Sequence, residues 1–272
     1  EDYAYLENDI AFPWSMIDKI TPRPHPVVEK QLIEDGLEDI SPFTTAKHTY
    51  TAPFVNAEKT QYLVIEDQFP NGRPPLEDAG VIITSRDTVN KVEKMKVCTC
   101  LNPLHTCLAV YGCILGYTSI AEEMKDPELS AFIDKMSHVE GMPFVVDPGV
   151  IEPKKFLEEV LTARFPNPFM PDTPQRIATD TSQKLSIRFG ETIKAYIASP
   201  DREASELNLI PLVLAGWLRY LIGVDDEGKP FDISPDPLLP AMQEKLTGIT
   251  LGGEIDAEQL RPILSDASIF AV

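Results

Sequence analysis

From Val97 to Tyr117 the chain reads VCTCLNPLHTCLAVYGCILGY, a run with no Asp, Glu, Lys or Arg. Its length approaches the roughly 20 residues that cross a bilayer, and Gly112 with Gly116 forms the small-xxx-small pair that lets backbones approach. Asn102, Pro103 and His105 are costly in hydrocarbon, and no second segment of this kind occurs, so the run reads as the central buried helix of a globular fold. Hydrophobic residues make up 43% of the 272, enough apolar surface to close a core around it. All four cysteines, Cys98, Cys100, Cys107 and Cys113, lie in this stretch, whereas a disulfide framework would join distant segments; they read as buried thiols of a cytoplasmic protein. The opening EDYAYLENDIAF lacks the basic and apolar regions of a secretory signal, and a first residue that is Glu1 rather than Met suggests a piece of something longer.

Lysine and arginine number 24 against 43 acids, a net charge of −19, and such a field repels phosphate backbones and anionic lipid. Nucleic acid and membrane are therefore not expected as partners. Many of the 25 prolines stand where helices start, as at Asp126-Pro127, Glu152-Pro153 and Asp172-Thr173-Pro174, because the missing N–H is not needed there. Periodicity and these starts predict helices near 27–35, 87–101, 103–123, 127–139, 153–165, 174–187, 188–198, 203–223, 237–247 and 256–265. β-branched and aromatic residues predict strands at Thr49–Phe54, Gln61–Ile65 and Val81–Thr84, the first two pairing across Val55–Glu58. No Gly-x-Gly-x-x-Gly or Gly-x-x-x-x-Gly-Lys-Ser/Thr follows a strand, so a phosphate-cradling nucleotide domain is not expected. Asp225-Asp226-Glu227-Gly228 lacks the alternating ligands and closing glutamate of a calcium loop and reads as a solvated turn.

Three constellations carry chemistry. In the first, Glu93-Lys94-Met95-Lys96 precedes Asn102-Pro103-Leu104-His105. Pro103 disfavours the helical region at Asn102, so a helix should end or kink there and Asn102 should cap the next. A lysine beside an uncharged run is suited to a lowered pKa and general-base work, whereas the plain alternative is a surface lysine, a capping asparagine and a core histidine. Cys98, Cys100 and His105 do not have structural zinc spacing, so no metal is expected. In the second, Arg176, Asp180 and Lys184 at four-residue intervals predict one helical face, either a solvent salt ladder or two cations that hold a carboxylate or polyhydroxy ligand. The third, Phe12-Pro13-Trp14-Ser15-Met16-Ile17-Asp18-Lys19-Ile20-Thr21-Pro22, says little by itself.

Taken together the segments resemble the mannitol dehydrogenase family, the polyol-specific long-chain dehydrogenases and reductases that include mannitol 2-dehydrogenase, fructuronate reductase and tagaturonate reductase. Phe12-Pro13 with Met16–Pro22 is similar to F-P-x-x-M-V-D-R-I-x-P; Pro53-Phe54, Tyr62–Asp67 and Gly72-Arg73-Pro74 are similar to E-P-F-x-x-W-V-I-E-D and G-R-P. Glu93–Lys96 with Leu101-Asn102 and His105 resembles E-x-M-K…L-N-x-x-H, and Arg164-Phe165, Asn167-Pro168, Asp172-Thr173 and Arg176 to Lys184 resemble R-F-x-N-P…D-T…R-I-x-x-D-x-x-x-K. Several motifs in family order along nearly the whole chain make the signal specific.

The resemblance implies a mainly α, multi-helical fold like the C-terminal domain of 6-phosphogluconate dehydrogenases, with a small β element. Residues 1–272 would form the C-terminal substrate domain, without the N-terminal Rossmann domain that would partner it in the same enzyme. By the same analogy the chain acts with NAD or NADP, and without metal, on a small-molecule sugar acid or polyol at C2. Lys96 would be the general acid/base, Asn102 a donor to the reacting oxygen and Glu93 a group on the proton path; His105, Arg176, Lys184 and Asp18 would hold substrate. Arg23, His25, Lys47 and His48 are further cations that favour a hexuronate carboxylate over a neutral ketose. Two departures stand out. Lys96 and Asn102 are six apart where the family has five, so a bulge is expected near Val97–Cys100, and Pro103-Leu104 replaces the family's Gly-Ser. Rival readings are a helical binding or assembly domain that keeps these residues for packing, and a Cys/His metal domain.

Overall fold

The computed structural model describes residues 2–270, which divide into two compact units, 2–90 with 167–171 and 91–166 with 172–270. The first unit opens with α1 (Asp2–Asn8), β1 (Ser15–Asp18) and α2 (Pro26–Glu34), continues through the two-residue strands β2 (Phe43–Thr44) and β3 (Tyr50–Thr51), and then places β4 (Tyr62–Glu66) and β5 (Ile82–Thr84). Its sheet has the order β1-β4-β5. β1 runs antiparallel to β4, with Met16 opposite Val64 and Asp18 opposite Tyr62, and β5 runs parallel to β4. Alternation buries Met16, Asp18 and Val64 on one face and turns Ile17 outward.

The predicted hairpin between Thr49–Phe54 and Gln61–Ile65 is not formed. The second of these segments pairs with β1, for which the sequence predicts no strand, while β3 folds back on β2 through a turn in which His48 takes φ +60. Two long-range partners outcompete the local one because β4 meets the alternating β1 on one side and the β-branched β5 on the other. The motif acids serve this sheet. Glu66 accepts from the Trp14 N–H and from Arg86, and Arg73 bridges Asp67 at 3.0 Å and Glu77 at 2.6 Å.

The helix α3 (Arg86–Met95) leads into the second unit. There α4 (Asn102–Ile114) is the core element, packed by α5 (Ile120–Glu123), α6 (Pro127–Lys135), α8 (Pro174–Ile177) and α10 (Leu209–Tyr220). The remaining helices are α7 (Pro153–Glu159), α9 (Glu191–Ala198), α11 (Leu239–Lys245), α12 (Ala257–Leu264) and α13 (Ala267–Phe270). The stretch Arg86–Ile114 is long and apolar enough to cross a bilayer, yet 78% of its most apolar part is buried inside the fold, as expected of a core helix. Gly112 permits this packing, since a Cβ there would stand 2.4 Å from Glu123 Oε1 and 2.7 Å from Pro174 Cγ. Gly116 acts differently: it takes φ +78 in the turn after α4. All four cysteines are free and buried.

Predicted helix starts are seen at Asp126, whose carboxylate accepts from the Glu128 and Leu129 N–H groups, and at Thr173, whose hydroxyl accepts from the Arg176 N–H. α10 has no cap of its own side chain; buried Glu140 accepts from the N–H groups of Asn208, Leu209 and Ile210 at 2.7–2.8 Å. Four helices widen into π turns, at 96–100, 136–141, 160–164 and 186–190. The first packs against the second and fourth. Thr192 donates to the Cys98 carbonyl at 3.3 Å, which satisfies a group that the widened turn loosens.

The predicted helix over 174–187 is not continuous. α8 stops at Ile177, Asp180 adopts φ +54, and a short 3-10 turn over Thr181–Gln183 follows. The Asp180 N–H donates to Pro235 O, and Asp236 accepts from the Ser182 N–H and hydroxyl, so tertiary partners take the hydrogen bonds that a helix would have used. Arg176, Asp180 and Lys184 are therefore not a ladder on one helical face.

Candidate active site

Lys96 opens the first π turn, closed by the Leu101 N–H donating to Lys96 O at 3.1 Å. The extra residue between Lys96 and Asn102 is thus absorbed where the sequence required a bulge. Lys96 is half-buried, and Glu93, one turn earlier on α3, is exposed. Leu101 carries the break, with φ −134 and ψ −62, and Asn102 is the first residue of α4 rather than its cap. Freed from capping, the Asn102 side chain keeps a buried Oδ1 with no hydrogen-bond partner among the described residues. Turning the amide by 180° exchanges its oxygen for its NH₂, so the same position can present a donor.

One turn along α4, His105 Nε2 lies 3.1 Å from Asp172 Oδ2 but off the line of a ring N–H hydrogen bond. Burial lowers the His105 pKa, and the cations Arg188 and Arg176 lower it further against the pull of Asp172, so the imidazole is neutral at ordinary pH. Burial pushes the Asp172 carboxyl up, yet His105 and Arg176 outweigh it and hold the group below its ordinary value. Arg176 donates to Asp172 Oδ1 and leaves 63% of its side chain exposed. Lys184 turns back on the broken α8, donating to Ile177 O at 3.2 Å and to Thr179 O; burial and the neighbouring Arg188 lower its pKa.

The second unit therefore brings His105 and Arg176 to Asp172, with Asn102 one turn before His105 on α4 and Lys184 within the field of Arg176 and Arg188. Asp18 belongs to the first unit, at the end of β1, where it is 4% exposed. The four extra cations of the carboxylate argument are in the first unit too. His25 caps α2, Arg23 stacks 4.7 Å over the Tyr50 ring, and Lys47 and His48 lie in the β2–β3 turn. Sequence reasoning missed Thr106 and Arg188. The Arg188 guanidinium donates to Thr106 Oγ1 at 2.5 Å, and that hydroxyl donates to Asn102 O at 3.0 Å. The four-residue spacing Arg176–Asp180–Lys184 continues to Arg188, a signal available in the sequence. No three His, Cys, Asp or Glu side chains gather at ligand distance among the described residues, and burial raises the thiols, Cys98 to about 11 and Cys100 to about 12.

The strand-to-helix step from β5 to α3 passes through Ser85 with no glycine, leaving no room for backbone to close on a pyrophosphate. What the second unit offers is a row of polar groups with unfilled hydrogen-bonding capacity, beside cations.

The profile of the mannitol dehydrogenase C-terminal domain matches residues 88–271. The chain belongs to the mannitol dehydrogenase family. It is 56% identical over 271 residues to D-mannonate oxidoreductase of Thermotoga maritima, covering 98% of this chain and 50% of that one. Mannitol 2-dehydrogenase of Aspergillus terreus is 32% identical over 252 residues, 92% of this chain and 46% of the relative. Among solved structures, Pseudomonas fluorescens mannitol 2-dehydrogenase in a ternary complex with NAD and D-mannitol superposes with TM-score 0.73 at 29% identity, over 98% of this chain and 49% of that one. A substrate-free D-sorbitol dehydrogenase gives 0.71 at 30% identity, over 85% and 44%. The chain spans about half the length of these family members, whose names make them oxidoreductases of polyols and sugar acids.

Proposed function

We propose that this chain is the substrate-holding, catalytic half of an NAD(P)-dependent oxidoreductase that reduces the C2 ketone of a linear keto-hexuronate, fructuronate or tagaturonate. The observation that carries the reading is the pair of buried, unsatisfied polar atoms on one turn of α4, Asn102 Oδ1 and His105 Nε2, beside the cations Arg176 and Lys184. A hydroxyl-rich ligand fills such vacancies, and leaving them empty is costly. The cofactor supplies or accepts hydride; every other role falls to side chains. Lys96 gives a proton to the oxygen as it becomes an alkoxide, Glu93 connects that lysine to solvent, and the Asn102 amide donates to the same oxygen. Neutral His105 accepts from or donates to a substrate hydroxyl, with Asp172 fixing its ring. Arg176 and Lys184 hold further oxygens. Arg176 is suited to hydroxyls more than to a carboxylate, because Asp172 already neutralises it. Support for a sugar acid comes from the T. maritima relative, since reducing the ketone beside the CH₂OH end of a keto-uronate gives a hexonate, the class to which mannonate belongs.

The polyol reading is favoured by the likeness to the D-mannitol complex. Steady-state kinetics on the polypeptide that joins this chain to its cofactor-binding half separates the two. We expect kcat/KM for D-fructuronate or D-tagaturonate to exceed that for D-fructose by at least tenfold; a preference for D-fructose overturns the sugar-acid reading.

A further inference from the structure

Arg176 commits its charge to Asp172, and Lys184 commits its ammonium to two backbone carbonyls. A further cation of the neighbourhood, Arg188, does neither. Its guanidinium is half-buried and bonded through one N–H to the Thr106 hydroxyl, and it pairs with no carboxylate among the described residues. Its other nitrogens hydrogen-bond to no described residue and are not among the fully buried polar atoms. Arg188 also lines a small, partly open cavity of about 10 Å³ with Cys98, Pro103 and Leu104. The charge is felt at both His105 and Lys184, which places it at the same site.

A fork of N–H groups held in low dielectric with no counter-charge is a receptor for an anion, and a planar guanidinium matches the two oxygens of a carboxylate. We propose that Arg188, steadied by Thr106 against the first turn of α4, is the residue that binds the carboxylate of a linear sugar acid at this site. The inference rests on the sugar-acid reading above and gives it a specificity residue. Burial without a counter-charge already lowers the Arg188 pKa to about 10, a cost that a bound carboxylate relieves. It also separates two roles that the sequence assigned together: Arg176 meets hydroxyls, and Arg188 meets the charged end.

Calorimetric titration of this chain with D-mannonate, D-mannitol and acetate tests it. Wild type should bind D-mannonate more tightly than D-mannitol. Arg188→Gln should weaken D-mannonate at least tenfold and change D-mannitol less than twofold. Arg188→Lys, which keeps charge and stem, should lose three- to tenfold on D-mannonate alone and serves if the glutamine variant does not fold. Unchanged D-mannonate affinity in Arg188→Gln overturns the inference and leaves the sugar-acid reading standing. Equal losses for D-mannonate and D-mannitol also overturn it, because Arg188 would then act through the shape of α4, and so does a wild type that binds none of the three. Acetate binding that depends on Arg188 without any preference for D-mannonate supports the anion site and overturns the sugar-acid reading instead.

Discussion

Glu123 is fully buried, and neither of its carboxylate oxygens has a hydrogen-bond partner among the described residues. It lies against Gly112 of α4, with Asp126 as the nearby charge and Cys107 and Cys113 within its field. Burial, aided by Asp126, pushes its pKa from 4.5 up to about 9. The folded chain then keeps a proton that the unfolded chain releases above 4.5, so stability declines as pH rises from there to about 9, by about 3 kcal/mol at neutral pH. Glu123→Gln removes the ionisation. Its melting temperature should stay nearly level between pH 5.5 and 8.5 while that of wild type falls; parallel curves would show that the carboxyl ionises inside the fold. At Lys96 the readout is rate. In the polypeptide with its cofactor half, Lys96→Ala should lower kcat by roughly two to four decades, the usual worth of a general acid/base. A loss below tenfold assigns that role to another residue.

At the scale of elements, the π turn at 96–100 and the break at Leu101 separate the helix that carries Lys96 from α4, which carries Asn102 and His105. A straight helix would place Lys96 and His105 on opposite faces at about 100° per residue. The extra residue in the Lys96–Asn102 spacing announced a bulge; that three other helices widen likewise was not readable, because π turns depend on outside groups such as Thr192 to satisfy their carbonyls. The segment after α8 makes a separate prediction. Glycine in a helix interior costs about 1 kcal/mol relative to alanine, whereas at φ +54 it removes a steric penalty. Asp180→Gly should therefore hold or raise the melting temperature and Asp180→Val should lower it. A loss in Asp180→Gly as large as that in Asp180→Val would restore the continuous helix.

For the molecule as a whole, the two units hold different parts of the family pattern: Glu66, Asp67 and Arg73 tie the sheet of the first, and Asn102, His105, Asp172, Arg176, Lys184 and Arg188 stand in the second. With no glycine turn between β5 and α3 to hold a pyrophosphate, this chain alone should give no oxidation of NADH or NADPH with any ketose or keto-uronate. Measurable turnover would mean a cofactor site within these residues. The family, the mainly helical fold, the buried thiols, the starts at Asp126 and Thr173 and the need for a bulge after Lys96 were legible in the amino-acid order, since each depends on local spacing or residue type. Tertiary structure alone decided that β4 pairs with β1, that Pro235 and Asp236 break the helix after Ile177, that Asp172 neutralises Arg176, and that Arg188 is left without a counter-charge. Those outcomes are competitions between partners far apart in the chain, and the winner depends on which groups burial brings within reach.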